Sequence, residues 1–144
     1  MLEFDRTDLR LLAALQEDAS QSLNELAESV NLSTNACWRR VKRLEEAGVI
    51  RKRVALLDPV LAGCGVTVFV AVRTNQHTHE WLDAFARAVR KIPEVVEFYR
   101  MSGDLDYLLK ILVRDIAHYD RVYKRLIKEI SLSDVSASFA MEQI

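Results

Sequence analysis

The sequence of 144 residues lacks the motifs that mark most enzymes and metalloproteins. Its two cysteines, Cys37 and Cys64, stand in no spacing typical of a metal or redox site. No serine–histidine–aspartate set and no glycine-rich phosphate loop indicates catalysis. His77 and His79 have only Glu80 nearby as a further ligand, which is too few for zinc. We therefore predict that the protein is not an enzyme and has neither a metal site nor a resident cofactor.

Long hydrophobic runs are absent as well, because the apolar segments have only the length of β-strands. The acidic start MLEFDRTDLR has no hydrophobic signal core. The sequence thus predicts one or two small domains in the reducing cytoplasm, with unpaired cysteines and no membrane contact. The formal net charge is −1, so an overall basic excess that would bind nucleic acid is also absent.

Positive charge is instead concentrated between residues 39 and 53. In this segment only Glu45 and Glu46 are acidic, against seven basic residues: Arg39, Arg40, Lys42, Arg43, Arg51, Lys52 and Arg53. Such a cluster is typical of a surface that neutralises DNA phosphates. It is also common on an ordinary solvated helix, so the sequence around it has to separate the two interpretations.

The segment Leu32–Val49 predicts a helix with one apolar side and one basic side. Ser33 is a good N-cap, and Gly48 can end the helix in the left-handed conformation. The apolar side repeats at spacings of four and three residues and points into a core: Cys37, Val41 and Leu44. The remaining surface is basic, as a helix in the DNA major groove requires.

The first turns of this helix carry groups suited to reading base edges. Ser33, Thr34 and Asn35 are short and polar. Trp38 is placed either to stack on DNA or to pack against the first helix of the chain. We predict that Thr34 and Asn35 read bases, together with Trp38 if its ring stacks on DNA, and that Ser33 belongs to the same DNA-binding surface as the cap of the helix. The cations from Arg39 to Arg43 are predicted to hold phosphates.

Two shorter helices are predicted before the basic one. Ser22–Val30 has Ser22 as a cap and Glu25 in the position of a capping box. Its short connection to the basic helix favours a helix-turn-helix arrangement. Asp5–Glu17 is the first helix; its pattern predicts Leu9 and Leu12 on the inner side and Asp8 in water.

A β-strand is predicted for Val49–Leu57, because it is rich in β-branched and apolar residues. Arg51, Lys52 and Arg53 on this strand would form a wing that touches the flanking DNA backbone. The glycines in Val60–Gly65 predict a hinge. The expected division is therefore a helix-turn-helix domain at 1–49, a wing strand and hinge at 50–64, and a second domain at 65–144.

The second domain has the βαββαβ order of a ferredoxin-like fold, which makes the whole chain α+β. The predicted elements are strands Val66–Arg73, Val95–Met101, Tyr107–Arg114 and Val135–Gln143, with helices His79–Ile92 and Ile116–Ile130. Both helices of this fold cover one face of the sheet. Val66–Val72 is nevertheless apolar on both faces, so we predict a homodimer in which a second copy covers the other face.

The turn between the two middle strands, Ser102–Asp106, is a candidate ligand site. Gly103 can adopt positive φ and expose backbone amides for a carboxylate, while Asp104 and Asp106 could hold an ammonium group. An amino acid therefore fits this loop, to which Met101, Ser102 and Tyr107 belong, and Ser136 and Ser138 would line the same cavity. The other interpretation is a hairpin whose aspartates bond their own backbone.

These segments together resemble one known family, the Lrp/AsnC (feast/famine) transcription regulators. The resemblance is carried by DRTDLRLLAALQEDA, LSTNACWRRVKRLEEAGVI, VALLDP, MSGDLDYLLKILV and FAMEQI, which span nearly the whole chain. It implies a winged helix-turn-helix, a hinge strand that crosses between subunits and a ligand-binding domain known as RAM. It also implies an amino-acid effector bound at Ser102–Tyr107, and dimers that assemble further into tetramers or octamers.

One departure from the family lies at the start of the basic helix, where Thr34 and Ala36 stand in place of frequent prolines. Base readout there is therefore expected to differ. We predict a DNA-binding transcription regulator controlled by a small amino acid. The alternative is an oligomeric amino-acid sensor that acts through protein partners.

Overall fold

A computed structural model describes residues 3–129 and 132–144 of the chain. Its contacts divide the chain into two compact units, Met1–Leu56 and Leu57–Ile144. The first unit contains three helices, and the second contains a four-stranded sheet with two helices. No helix in the described part of the chain is long and apolar enough to cross a membrane.

The first unit consists of α1 (Arg6–Glu17), α2 (Leu23–Ser29) and α3 (Thr34–Glu46). The predicted caps are confirmed, since the hydroxyl of Ser22 accepts a hydrogen bond from the Glu25 amide and that of Ser33 from the Ala36 amide. Gly48 follows α3 with a φ of +73°, a conformation that costs glycine little. The local signals for α2 and α3 therefore placed both helices correctly.

The core of this unit is small and apolar. Its members are Leu11, Leu26, Ala27, Val30, Cys37, Val41 and Leu44. The inner sides predicted for α2 and α3 are thus confirmed. Burial raises the pKa of the Cys37 thiol, which keeps it protonated and inert.

The inner side predicted for α1 is confirmed at Leu12, which packs partly buried against this core, but it is wrong at Leu9 and Asp8. Asp8 is only 1% exposed and Leu11 is fully buried, whereas Leu9 is 55% exposed. The helix is turned relative to the expectation because its inner side carries a carboxylate held by two arginines of α3. Apolar periodicity cannot detect such a residue, since a charge enters the interior only when it is paired.

The strand predicted for Val49–Leu57 is also wrong. Residues 51–58 have no regular structure, and Val54, Leu56 and Leu57 are largely exposed. A strand requires a hydrogen-bonded neighbour, and no strand in the described parts of this chain pairs with the segment. Its β-branched composition therefore indicates a preference for extended structure, but the described part of this chain offers no strand with which the segment pairs.

The second unit has the predicted βαββαβ order. It consists of β1 (Val66–Arg73), α4 (His79–Arg90), β2 (Val95–Arg100), β3 (Tyr107–Val113), α5 (Ile116–Glu129) and β4 (Asp134–Phe139). The strands form one antiparallel sheet in the order β2-β3-β1-β4. The last strand is shorter than predicted, and Ile130, predicted to end α5, lies outside the described residues.

One face of this sheet forms the main core with both helices. The sheet contributes Val68, Val70, Val72, Leu109, Ile111 and Val113, and the helices contribute Trp81, Phe85, Ala88, Val89, Val122 and Leu126. The rings of Phe85 and Tyr107 meet edge to face with their centroids 5.1 Å apart. Aromatic pairs of this geometry add to the stabilisation from burial.

The opposite sheet face is partly exposed and carries apolar residues on both sides of the Lys110–Glu97 ion pair. In the strand register Phe69 and Ala71 of β1 face the same way as Leu108 and Leu112 of β3 and Tyr99 of β2. We call these five residues the open sheet face. Phe69 is 38% and Tyr99 is 49% exposed, so the predicted apolar residues on the second face are confirmed, although Lys110 lies opposite Phe69 on the same face.

Candidate nucleic-acid interface and ligand loop

The tip of α3 is fixed to α2 by a tight turn. The Leu32 amide donates to the Ala27 carbonyl at 2.9 Å, and Asn31 adopts a positive φ of 57°. The Thr34 hydroxyl donates to the side-chain carbonyl of Asn24 at 2.9 Å. Asn24 was missed by sequence reasoning, because only the crossing of the two helices brings it beside Thr34. These bonds fix the start of α3 against α2.

The outward side of α3 carries an amide, a ring and two cations. Asn35, Arg39 and Lys42 are exposed on the side opposite the buried apolar stripe. Trp38 is 48% exposed, so of the two roles considered for it the structure favours an accessible ring. The Lys42 ammonium lies 5.0 Å from the centre of that ring.

Arg40 and Arg43 lie on another side of α3, towards α1. Arg40 Nη1 is 2.7 Å from both Asp5 Oδ2 and Asp8 Oδ1, and Arg43 Nη2 is 2.6 Å from Asp8 Oδ2. Burial alone would raise the pKa of Asp8. Hydrogen bonds from Arg40, the Asp5 amide and Arg43 outweigh burial, so that its pKa lies below its usual range. The carboxylate therefore stays charged at neutral pH.

The cations after α3 differ in their partners. Arg51, Lys52 and Arg53 are all exposed. Arg53 Nη2 lies 3.0 Å from Glu45 Oε1, whereas the side chains of Arg51 and Lys52 have no ion pair with any described residue. A concavity of about 340 Å³ lies on the surface of α3, lined by Leu32, Ala36, Arg39, Arg40 and Arg43.

The loop between β2 and β3 is a closed hairpin. Gly103 has the predicted positive φ, at 132°. The Met101 amide donates to the Asp106 carbonyl at 2.7 Å, and the Asp106 carboxylate accepts from the Thr74 amide at 2.8 Å. The Asp106 carboxylate therefore bonds a backbone amide, as the hairpin interpretation expected. The amide belongs to Thr74, directly after β1, and not to the hairpin itself.

Asp104 is the carboxylate that this loop leaves available. Its side chain is exposed and has no hydrogen-bond or ion-pair partner among the described residues. Its backbone carbonyl accepts from Arg73 Nε at 2.7 Å, and Arg73 Nη1 lies 2.9 Å from Asp134 Oδ2. Arg73 was missed by sequence reasoning, since a basic residue at a strand end gives no signal of its partner 31 residues away.

The other predicted ligand residues are spread more widely. Met101 and Ser102 are exposed beside the loop, but Tyr107 is 4% exposed with its ring in the aromatic core, so the prediction of a ligand contact for that ring is not supported. Ser136 and Ser138 lie on β4, where they pair with Ala71 and Phe69 of β1 and not with the loop. Arg73 connects the two places through Asp104 and Asp134.

A helix-turn-helix with an outward basic helix, followed by a sheet domain with a candidate ligand loop, is the architecture of a DNA-binding transcription regulator. The first part matches the family profile described as winged helix-turn-helix DNA-binding over residues 4–51. The second part matches the Lrp/AsnC ligand binding domain over residues 67–144. The chain belongs to the Lrp/AsnC family of transcription regulators.

Characterised relatives extend over nearly the whole chain. The glutamate uptake regulatory protein of Zymomonas mobilis is 51% identical over 142 residues, which cover 99% of this chain and 87% of the relative. The DNA-binding transcriptional activator DecR of Escherichia coli is 50% identical over 141 residues, covering 97% and 93%. Both relatives are regulators of transcription, or of uptake, by name.

Solved structures of similar proteins have the same fold. An AsnC family transcriptional regulator from Agrobacterium tumefaciens is 57% identical, with a TM-score of 0.94 over 98% of this chain and 92% of that one. A transcriptional regulator from Neisseria meningitidis, solved as its L-Met complex, is 34% identical, with a TM-score of 0.92 over 99% and 92%. No group of three or more potential metal ligands occurs among the residues described in this chain.

Proposed function

We propose that this regulator binds operator DNA as a homodimer and that an amino acid bound at the loop Ser102–Asp106 changes this binding. The observation that carries the proposal is the outward side of α3, where Asn35, Arg39 and Lys42 are exposed together. An amide that can bond adenine beside cations that can hold phosphates is what major-groove recognition requires. Because its partner is DNA, the proposed place of action is the cytoplasm.

In this proposal the residues of the first unit divide into two groups. Ser33, Thr34, Asn35 and Trp38 stand at the tip and contact bases. The cations hold phosphates and fix the position of the helix: Arg39, Arg40, Lys42, Arg43, Arg51, Lys52 and Arg53. The structure supports the tip residues through their exposure and through the bond that fixes Thr34 to Asn24.

The proposed effector is an amino acid, because the loop offers partners for both of its charges. The exposed carboxylate of Asp104 can pair with an ammonium group. Backbone amides beside Gly103, in its positive-φ conformation, can bond a carboxylate. The Neisseria relative was solved with L-Met, which supports this class of ligand without identifying the one used here.

The proposed homodimer forms through the open sheet face. Exposed apolar residues such as Phe69 and Tyr99 favour a protein partner, and a second copy brings an identical sheet. A two-fold dimer can present two α3 helices to successive major grooves, roughly 34 Å apart. Tetramers or octamers of such dimers are part of the proposal because the family resemblance implies them.

The proposed control is a shift between populations of assembled states. An effector that binds one arrangement of subunits more tightly favours that arrangement, and the spacing of the α3 helices changes with it. The alternative, a sensor that acts only through protein partners, leaves the exposed basic side of α3 without a function. A gel-shift experiment with the gene's own promoter at physiological salt distinguishes the two.

Two variants test the assignment of roles on α3. Lys42→Ala should weaken binding to every DNA sequence and make it less dependent on salt, because a phosphate contact is lost. Asn35→Ala should instead change which operator bases are preferred. A selection from randomised duplexes followed by sequencing measures the second effect. Unchanged base preference in Asn35→Ala would refute the division between reading and holding.

The ligand site is tested by calorimetric titration with a panel of amino acids. Asp104→Ala should weaken binding of the effector at least tenfold, since a charged hydrogen bond contributes about 1.5–3 kcal/mol. Asp83→Ala, which removes an exposed carboxylate from α4, is the matched control and should bind normally. Equal affinities in the two variants would place the ligand elsewhere.

A further inference from the structure

Arg40 and Arg43, two of the four cations of α3, bond the carboxylates of Asp5 and Asp8 at the start of α1, whereas the ion pair of Lys42 with Glu46 is exposed and longer, at 3.8 Å. We propose that Asp8, with Asp5, withholds Arg40 and Arg43 from DNA, so that among the α3 cations Arg39 and Lys42 alone hold phosphates. Asp8 is then a positioning residue for the recognition helix. This inference rests on the proposed use of α3 for DNA binding, and it replaces the equal role of all four cations with a division.

The bonding of Asp8 supports this role. Its side chain is 1% exposed, yet Arg40 bonds one of its oxygens and Arg43 bonds the other. The second oxygen also accepts the Asp5 amide at 3.1 Å. A guanidinium that left for a phosphate would leave a buried carboxylate with fewer partners, which is strongly unfavourable. Exchanging a carboxylate for a phosphate therefore brings these two arginines little net gain.

The direction of the side chains supports the same division. At about 100° per residue, Arg39 points roughly 165° and Lys42 roughly 135° from the middle of the buried stripe formed by Cys37, Val41 and Leu44. Arg40 and Arg43 point instead to the flank that faces α1, as their bonds to Asp8 require. Lys42 and the two arginines bonded to Asp8 thus lie on opposite flanks of α3, with Arg39 on the outward side between them.

The division has a measurable consequence in the salt dependence of DNA binding. Each phosphate contact to duplex DNA contributes about 0.9 to the slope of log K against log salt concentration. If Arg39 and Lys42 act alone, the cations of α3 contribute about 1.8 per protomer, whereas four equal cations would contribute about 3.6. Counting the charges in the sequence would overestimate the slope.

The test is the salt dependence of binding to a random-sequence duplex, followed by fluorescence anisotropy with full-length single variants. Arg39→Gln and Lys42→Gln should each lower the slope by about 0.9. Arg40→Gln and Arg43→Gln should leave the slope at the wild-type value while lowering the urea midpoint of unfolding. Asp8→Asn should make the slope steeper by about 0.9 for each guanidinium that it releases, which a merely structural role would not produce.

A second variant protects the test if Asp8→Asn does not fold. Asp5 caps α1 at its exposed end, and asparagine is an equally good cap, so Asp5→Asn should fold and partly release Arg40. A lower slope in Arg40→Gln or Arg43→Gln, comparable with that of Arg39→Gln, would overturn the division and leave the proposed function intact. A slope that none of the four cation variants changes would refute both the inference and the use of α3 for DNA.

Discussion

The two leucines Leu9 and Leu11 of α1 allow a sharp test of how the first unit is packed. They lie two residues apart on one helix, yet Leu11 is fully buried and Leu9 is 55% exposed. Leu11→Ala should strongly destabilise the first unit, whereas Leu9→Ala should be nearly neutral. The intrinsic helix propensity changes equally in both variants, so the difference measures burial alone.

The expected size follows from the packing. Replacing a fully buried leucine by alanine costs about 2–5 kcal/mol, because the transfer free energy is lost and a cavity remains. A unit the size of Met1–Leu56 has a total stability of only about 3–8 kcal/mol. Leu11→Ala therefore removes a large part of the stability, while Leu9→Ala should change it by less than about 0.5 kcal/mol.

The chain contains one tryptophan in each unit, which makes the assay specific. Trp38 belongs to the first unit and the buried Trp81 to the second. In a Trp81→Phe background, urea unfolding followed by fluorescence reports the first unit, and Trp38→Phe isolates the second. Leu11→Ala should lower the midpoint only for the Trp38 signal, since Leu11 belongs to the core of the first unit.

Two outcomes would refute this reasoning. If Leu9→Ala destabilises the first unit as much as Leu11→Ala, the inner side of α1 is the one that apolar periodicity predicted. If Leu11→Ala lowers both midpoints equally, the two units do not unfold separately.

Three further predictions concern the sheet face, the ligand loop and pH. Phe69→Lys should convert the proposed dimer to a monomer in analytical ultracentrifugation, because it places an unpaired charge opposite Lys110 in the contact; a stable dimer would exclude the open sheet face as the interface. Gly103→Ala should destabilise the loop by about 1–3 kcal/mol, since a φ of 132° strains any residue with a Cβ; unchanged urea unfolding of the second unit would contradict this. The folded state lowers the pKa of Asp8, so its contribution to stability is complete above the pKa of the unfolded carboxyl and is lost as the pH falls through the folded one. Unfolding of the first unit across acidic pH should therefore be less pH-dependent in Asp8→Asn than in the wild type, and equal dependence would contradict the lowered pKa.

Features that depend on neighbouring residues could be predicted from the sequence. The caps Ser22 and Ser33 fixed the starts of α2 and α3 through bonds that span three residues. The strands and helices of the second unit were found because their apolar spacing is strong. The exposed tip of α3 followed from the same periodicity, which placed Cys37 and Val41 inside.

Features that depend on distant partners could not be predicted. The turned α1 and the occupied Arg40 and Arg43 both follow from Asp8, whose arginines lie 32 and 35 residues away. The bond from the Thr74 amide to Asp106 likewise spans 32 residues and decides which aspartate of the loop remains available. The strand expected at Val49–Leu57 is absent for a related reason. A composition rich in β-branched residues indicates only a preference for extended structure, whereas a β-strand also requires a hydrogen-bonded neighbouring strand.

Arg73 connects the hairpin between β2 and β3 to the start of β4, so a ligand bound at the hairpin can affect that strand. One guanidinium grips a peptide oxygen of that hairpin and a carboxylate at the first residue of β4. A displacement of the Asp104 peptide would therefore be transmitted through Arg73 to β4. In the described part of the chain this strand lies at an edge of the sheet and is held by one neighbouring strand only, β1. A small ligand bound at the hairpin would thus shift the edge strand β4 while the aromatic core keeps its packing.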